Sequence, residues 1–582
     1  MLAAPAAGGT APTTATAATS ATAPVYDDEG RLVETPFAPP EGAARLTEQQ
    51  ATDILLRDPK VSDWLDRYPP QPQTDAEYRA AGDEWIVKAW SGEAGQIVLG
   101  TVDDRSGAVR EAWTGPQVAW TMARGGTGAF GGKTINTAWV WLTFCGVFLL
   151  GLADFRRPRS VRNLDLLMLL SFTVSLRFFN EGEIFWSAPL AYPPLVYLLA
   201  RCLWIARRDR PPRASRPLWP VWLLVGAAVF LAGFRIGLNV EAERSVIDVG
   251  FAGVVGSQRI ANGEMPYGHM PDQGDLEPCG PADAAGEIRE RIQTNGRCEA
   301  SNARGDTYGP VSYLAYVPGY LVFGWTGKWD ELWAAHATSL VFDALCLLGL
   351  ALVGRRFGGN RLAATLAFAW AAYPFTLYAS NSNTNDAIMP AFLIWGFWLA
   401  SSGWARGSAV ALAGWTKFAA LLLAPLWFGY PNARRLPSRR FAAGFALTTL
   451  AAFSILLLEP DPLHAARVFA ERTLGFQLDR ESPFSLWGWG QYHAKGIPDL
   501  HRVQQALQLL LVGGAVLLAF VPRRRSPLQL AALTAAVLIG FELVLTHWFY
   551  LYIPWFFPFV AFAVLATGLP ARTDAERVDP VH

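Results

Sequence analysis

Apolar residues run through most of this chain in blocks long enough to be read as helices facing lipid or one another. A membrane-crossing helix needs about 20 mainly apolar residues. Blocks near that length occur at 137–153, 164–179, 187–205, 218–237, 332–353, 362–378, 387–401, 409–428, 441–457, 503–520, 528–545 and 549–567. Before them the pattern changes. Leu46–Asp58 has helical spacing, Glu84–Ser91 and Gln96–Trp113 read as strands, and Asp103–Gly107 (Asp-Asp-Arg-Ser-Gly) is a hairpin turn signal. The fold class expected is therefore an all-α polytopic membrane protein of about 11–13 transmembrane helices, with a small N-terminal α+β domain over 46–125. Residues 1–45 are rich in Ala, Thr, Pro and Gly and are expected to form a disordered tail. Met1–Ala7 (MLAAPAA) looks like the end of a signal peptide, which implies a true start further upstream.

Composition supports the membrane reading. Of 582 residues 52% are hydrophobic and 17% charged, with 24 Trp and 34 Phe. A formal net charge of zero gives no global field to draw the chain to nucleic acid. The placement of charge is more informative, because Lys and Arg stay on the cytoplasmic side. Four clusters flank apolar blocks: Arg156, Arg157, Arg159 and Arg162; Arg207, Arg208, Arg210, Arg213 and Arg216; Arg355, Arg356 and Arg361; Arg523, Arg524 and Arg525. All four fit the cytoplasmic face of a cell (inner) membrane together. The domain 46–125 and the loops 238–331 and 459–502 then lie outside, and the tail 568–582 inside. Gly309–Phe323 is apolar, but counting it as a span would put Arg355 and Arg356 outside, so it is expected flat on the outer interface. The run 409–428 lies between Arg406 and the pair Arg434 and Arg435, and one crossing would separate them. Either it is re-entrant, broken near Gly414 and Lys417, or the charge rule fails locally.

Five cysteines are present. Cys145, Cys202 and Cys346 sit in apolar blocks, and no spacing suits structural zinc. Cys279 and Cys298 share a polar outer loop, where a disulfide would stabilise by about 3 kcal/mol; two free thiols are the alternative.

Some segments carry resemblances. VDDRSGAVREAW, Val102–Trp113, resembles the strand–turn–strand of PepSY-like domains. EAERSVIDVGFAGVVGSQRIANGEMPYG, Glu241–Gly268, followed by DTYGPVSYLAYVPGYLVFG, Asp306–Gly324, resembles the first large outer loop of the GT-C superfamily of polyprenyl-phosphate-sugar glycosyltransferases. GRRFGGNRLAATLAFAWAAYPFTLYASNSNTNDAIMPAFL, Gly354–Leu393, is similar to the next two spans and their outer turn. RTLGFQLDRESPFSLWGWG, Arg472–Gly490, and THWFYLYIPWFFPF, Thr546–Phe559, resemble outer segments of glycosyltransferase family 87 and its actinobacterial relatives. The resemblance covers about 218–567 and leaves 137–217 as accessory helices. It implies a GT-C-like catalytic module that moves a sugar from a polyprenyl-phosphate donor to an envelope glycan, glycolipid or protein on the outer face. The donor expected is a hexose or pentose, mannosyl and arabinosyl in an actinobacterial setting.

Such chemistry needs a base for the acceptor hydroxyl and positive charge for the departing phosphate, both at headgroup depth. The resemblance places the base at Asp248; Glu241 and Glu243 are the rivals, and a merely solvating or helix-capping role is the bland alternative. For the phosphate the candidates are Lys417, costly in an apolar run and so suggestive, with Arg480 and Arg259; Arg472 is read as solvated surface. Tyr267, Asn385, Asp386, His547 and Tyr550 are the remaining substrate-binding candidates. Asn383, Asn385 and Asp386 could equally cap the helix before Ile388, and His547 and Tyr550 could be interface anchors. Asp343, inside a span, either pairs within the bundle or lines a polar cavity. Asp248 with Asp386 or His547 is a candidate divalent-cation pair, but no metal is assigned. The other classes open are a transporter or flippase of lipid-linked intermediates and a non-catalytic envelope assembly protein. A pocket joining Asp248 to Lys417 or Arg480 would favour the enzyme, a central pore between similar halves the transporter.

Overall fold

The computed structural model describes residues 25–26, 28–29, 31–34, 44–126, 134–211, 219–241, 246–271, 273–279, 288, 290–294, 296–300, 305–433 and 439–566. The expectations that fall on Met1–Ala7, Arg213, Arg216, Glu243, Arg434, Arg435 and 568–582 lie outside the described residues. The chain divides into two compact units, one of residues up to Trp90 with Val98–Trp113, the other of Ser91–Ile97 with everything from Thr114.

The first unit is small and mixed. Its first helix, Glu48–Leu56, starts on a capping box: Thr47 Oγ1 accepts from the Gln50 backbone N–H, and the Gln50 side chain accepts from the Thr47 N–H. A second helix, Pro59–Leu65, is capped by Asp58 and has too few turns to show a period in sequence. The sheet has four strands in the order Gln73–Arg79, Glu84–Trp90, Gln96–Asp103, Val109–Thr114, the first pair antiparallel. The hairpin turn after Asp103 falls where expected. The Gln73–Arg79 strand was not expected, because its residues are polar and largely exposed and carry no apolar alternation. Asp104 is buried and accepts from the Arg45 and Leu46 backbone N–H groups and from Trp85 Nε1, at 2.7, 2.9 and 2.9 Å. One carboxylate thus ties the entering chain to the sheet. Within 1–45, expected to be structureless, Val25–Tyr26 pairs antiparallel with Leu32–Glu34.

The second unit is mostly helical. Among the described residues four helices are long and apolar enough to cross a membrane: Ile184–Arg208, Val221–Glu241, Trp333–Ala372 and Arg439–Leu458. Ala138–Leu152, Phe418–Phe428, Pro527–Leu543 and Tyr550–Leu565 are shorter and apolar. Large apolar side chains such as Trp222, Phe230, Leu450 and Leu509 point outward, which suits a lipid surrounding. Gly309–Phe323 forms two short helices, Pro310–Leu314 and Val317–Phe323, and the second leaves Leu321 and Val322 71% and 75% exposed.

Two reversals shape this unit. Trp333–Ala372 is two arms that meet at Gly359, whose φ of +72° suits glycine. A Cβ on Gly354 would strike the backbone of Ala363, so the arms lie side by side. Asp343 on the first arm accepts from Trp370 Nε1 on the second, at 2.8 Å, and pairs with Arg235, which is 1% exposed. Arg235 also donates to Thr376 Oγ1 at 3.1 Å, so both buried charges are met. Asp343 therefore pairs within the bundle.

The second reversal lies in the 409–428 run. Gly403–Gly414 is helical, the chain breaks at Trp415–Lys417, and Phe418–Leu423 and Ala424–Phe428 return beside it. Leu421 packs where a Gly414 side chain would stand. At the far end Arg406 donates from Nε to Trp427 O at 3.2 Å and from Nη2 to Tyr430 O at 2.9 Å. Both ends of the run thus meet, and they meet other Arg-rich turns. The Arg525 backbone N–H donates to Pro431 O at 2.9 Å, and Gln529 Nε2 donates to Ala206 O at 2.8 Å. Arg356 donates to Trp398 O and to Ser401 Oγ. The turns that carry Arg207, Arg356, Arg406 and Arg525 form one end of the bundle. In membranes, single cysteines at Ser401 and Asn432 are expected to react with an impermeant thiol reagent from the same face; labelling from opposite faces would show that 409–428 crosses.

Candidate functional site

The opposite end of the bundle collects the polar residues. Asp248 is the first residue of the Asp248–Ala261 helix. That helix carries Gly250, Gly253 and Gly256, a three-residue spacing that leaves one face without side chains. A Cβ on these glycines would strike the Asn383 carbonyl, the Tyr316 ring and the Tyr313 ring respectively. The bare face lets the helix lie directly on the Ser380–Asp386 turn and brings Asp248 beside it.

That turn is wholly buried and held by amides. Asn239 Nδ2 donates to Ser380 O at 2.8 Å and to Asn383 Oδ1 at 2.7 Å, and Asn381 Nδ2 donates to Leu238 O at 3.0 Å. His336 Nδ1 lies 2.8 Å from Asn239 Oδ1, an acceptor, so that ring nitrogen carries the proton. Asn383 takes a φ of +53°, a conformation asparagine tolerates better than most residues. Thr384 caps the short turn Asn385–Ala387 through the Asp386 N–H. The capping expected of Asn383, Asn385 and Asp386 is thus performed by Thr384. Asn385 instead donates from Nδ2 to Ser312 Oγ at 2.6 Å, while its buried Oδ1 has no partner among the described residues.

Asp386 meets Lys417. The Nζ–Oδ1 distance is 3.1 Å, with the side chains 9% and 2% exposed. Asp386 Oδ1 also accepts from Trp555 Nε1 at 3.1 Å. The ammonium stands 4.6 Å from the centre of the Tyr308 ring, with Tyr552 and Trp555 further round it. Tyr308 reaches this place because the Val311 N–H donates to Trp415 O at 3.1 Å, taking a carbonyl freed by the chain break. Gly309 is needed there, since a Cβ would run into that same carbonyl.

Arg480 comes from another segment. Its Nη2 donates to His547 Nε2 at 3.2 Å, so His547 carries its proton on Nδ1 and donates to Ser482 Oγ at 2.8 Å. Asp248 lies within the fields of Arg480, Lys417 and Asp386. Among the described residues its carboxylate accepts only from the N–H of Val249, and no side chain pairs with it. Its side chain is half-buried. Burial raises its carboxyl above the usual carboxylate range, against the pull of Arg480 and Lys417. Burial likewise pushes the Tyr308 phenol well above its ordinary value.

The arrangement therefore gathers Asp248, Asp386, Lys417, Arg480 and His547, with Asn385 alongside. Three candidates stand elsewhere. Arg259 is eleven positions along the helix from Asp248, roughly 16 Å at the helical rise; it pairs with Glu264 at 3.2 Å and donates to Met265 O. Tyr267 is fully buried, donates to Tyr308 O at 3.0 Å and packs on Tyr313 and Phe469, so it supports the site from behind. Tyr550 turns toward the accessory helices, where Ser175 and Ser187 each lie 2.7 Å from its hydroxyl. Glu241 is exposed at the end of its helix. Arg472, read as solvated, instead donates from Nε to both oxygens of buried Asp306, at 3.0 and 2.8 Å, and fixes the Gly268 turn, whose N–H donates to the same carboxylate.

Residues that sequence reasoning passed over include Tyr308, Tyr552, Trp555 and Glu542. Glu542 is 1% exposed, accepts from Trp548 Nε1 at 3.0 Å and leaves Oε1 without a partner among the described residues. The signal that marked Lys417, a charge in an apolar block, marks Glu542 equally. The Cys279–Cys298 disulfide is formed, across 19 residues. Of the candidate cation pair, Asp248 with Asp386 or His547, Asp386 is engaged by Lys417 and His547 by Arg480.

Lys417→Met or Asp386→Asn would strand the other charge in a dry surrounding. Each single change is expected to cost about 3–5 kcal/mol, and the double change clearly less than the sum, measured by denaturation of the detergent-solubilised protein. Strict additivity would show that the two charges do not depend on each other. No protein-family model matches the chain, and no curated protein matches it significantly.

Proposed function

We propose that this chain is a membrane glycosyltransferase of the GT-C kind, resembling glycosyltransferase family 87. It takes a sugar from a polyprenyl phosphate and passes it to an acceptor hydroxyl at the outer face of the cell membrane. The observation that carries this reading is the Asp248 carboxylate, without a side-chain partner among the described residues and within the fields of Arg480 and of Lys417, the latter balanced by Asp386. A carboxylate free of side-chain partners can take a proton. A guanidinium and an ammonium whose fields reach that carboxylate can receive the charge of a leaving phosphate.

Asp248 removes the proton of the acceptor hydroxyl as its oxygen attacks the anomeric carbon. The bond from that carbon to the phosphate oxygen breaks with its electron pair, and the dianionic lipid phosphate departs toward Arg480 and Lys417. One base and one displacement predict inversion at the anomeric carbon. The guanidinium suits bidentate phosphate recognition, and His547, by accepting from its Nη2, holds it in place. The Arg-rich end of the bundle belongs in the cytoplasm by the positive-inside rule, which sets the site at the outer headgroup layer, where a lipid-linked phosphate resides. On this reading the apolar helices form a polytopic module, and residues 46–125 are extracytoplasmic.

Asp248→Asn is expected to lower transfer by about 10²–10⁴-fold while the protein still reaches the membrane, assayed with polyprenyl-phosphate sugars and extracted envelope lipids. Normal transfer by that variant would refute the assignment. Because burial raises the Asp248 carboxyl and the base must be ionised, activity is lost as pH falls through that raised value. The acid limb of the kcat/KM profile should therefore lie above the ordinary carboxylate range, and a limb within that range would contradict the role.

A further inference from the structure

The Arg-rich end of the bundle holds a junction that the transfer chemistry above does not use. It joins two helix ends, with Asp209 and Ser526 317 positions apart. The Ile184–Arg208 helix stops at Asp209, whose φ of +45° turns the chain. The Pro527–Leu543 helix starts on a capping box of Ser526 and Gln529. The same two residues hold the first helix: Ser526 Oγ donates to the Asp209 carboxylate, and Gln529 Nε2 donates to Ala206 O at 2.8 Å. A third segment fixes the approach to Ser526, where the Ala433 N–H donates to Arg523 O at 2.8 Å. Arg207, Arg208 and Arg210 flank Asp209 on one side of the junction, Arg523 and Arg524 precede Ser526 on the other, and all five are exposed. Arg525 turns inward instead and donates to Leu426 O at 3.1 Å and to Leu518 O. Among the described residues Arg207, Arg208, Arg210 and Arg523 have no ion pair. Asp209 is the only acid in 203–210, 431–433 and 520–529, and Ser526 engages it. Arg208 lies over the Trp204 ring, 4.6 Å from its centre, which restricts where the guanidinium can go. Leu203 and Trp204 are exposed one turn before the first arginine group, Phe520 and Val521 just before the second.

We propose that this junction binds an anionic phospholipid, its phosphate held by the two arginine groups and its acyl chains along Leu203, Trp204 and Phe520. The proposal stands on the apolar helices lying in a bilayer and is independent of glycosyl transfer. Five guanidinium groups gathered at one joint repel one another, and a single carboxylate already engaged by a hydroxyl does not offset them. An anion from outside the chain does. Every basic residue in these segments is Arg and none is Lys. The planar fork of Arg matches two phosphate oxygens at once, whereas orientation in the membrane needs only positive charge, which Lys supplies equally. A soluble phosphate would meet the cations and leave the exposed apolar side chains beside them unused. A phospholipid uses both, because its phosphate stands where the apolar surface of the helices gives way to arginine. The Asp209–Ser526 and Gln529–Ala206 contacts keep the two groups together, so they present one site and not two separate loops.

The full chain, purified in neutral detergent, would be titrated with phosphatidylglycerol or phosphatidylcholine, with bound lipid read by native mass spectrometry and stability by thermal unfolding. Phosphatidylglycerol should be retained and raise the unfolding midpoint, and phosphatidylcholine should do neither. The double variant Arg208→Gln with Arg523→Gln should bind phosphatidylglycerol about 30-fold more weakly, the loss of two cations at headgroup depth. Both side chains are exposed, so the variant keeps its fold. Arg157→Gln with Arg159→Gln removes the same charge from exposed positions on another turn and should leave binding unchanged. Equal retention of the two lipids, unchanged binding by the first double variant, or equal weakening by both, would overturn the site. Glycerol 3-phosphate raising the midpoint as much as the lipid would overturn it in favour of a soluble anion. None of these outcomes bears on sugar transfer.

Discussion

A primary ammonium inside an apolar bundle requires a carboxylate within contact distance, and the Lys417–Asp386 pair imposes that requirement on the surrounding chain. Lys417 can stand there only because its helix ends at Gly414 and the chain turns back. The break exposes the Trp415 carbonyl, which in a buried setting must find a donor. Val311 provides it, and so the Asp306–Tyr316 segment is drawn onto the tip of the hairpin with Gly309 at the closest approach. Tyr308 then covers the ammonium. A single charge, once buried, thus accounts for a chain reversal, a docked loop and an aromatic lid.

The other half of the site depends on absence of bulk. Gly250, Gly253 and Gly256 clear one face of the Asp248–Ala261 helix, and the Asn239, Asn381 and Asn383 amides satisfy the turn it lies upon. Small residues allow one helix to approach its neighbour closely. The consequence is electrostatic. Two carboxylates, Asp248 and Asp386, are brought into each other's field, and the cations Lys417 and Arg480 offset both.

Much of this was legible in the residues before the fold was known. Apolar blocks marked the helices, and Lys417 stood out as a charge where charge is costly. Arg406 on one side and Arg434 with Arg435 on the other left only two readings for 409–428, one of them the reversal observed. Cys279 and Cys298 were the only pair in a polar loop. What was not legible is partnership. Nothing local in Arg472 distinguishes a solvated arginine from one locked to Asp306, because the partner is 166 positions away. Tyr550 and Tyr552 differ by two positions, yet one turns to Ser175 and Ser187 and the other to Lys417, a division fixed by helical rotation at a turn whose start could not be placed. The Gly250, Gly253, Gly256 spacing was readable, but its meaning depends on the Tyr313, Tyr316 and Asn383 groups that fill the cleared face.

On the glycosyl-transfer reading, the same geometry decides which carboxylate serves as base. Asp386 accepts from Lys417 and Trp555, so protonating it would break an ion pair in a dry surrounding. Asp248 gives up no side-chain contact when it takes a proton, and burial already favours its neutral form. The proton therefore goes to Asp248, and Asp386 keeps Lys417 charged for the phosphate. Division of labour between two neighbouring acids follows from their partners.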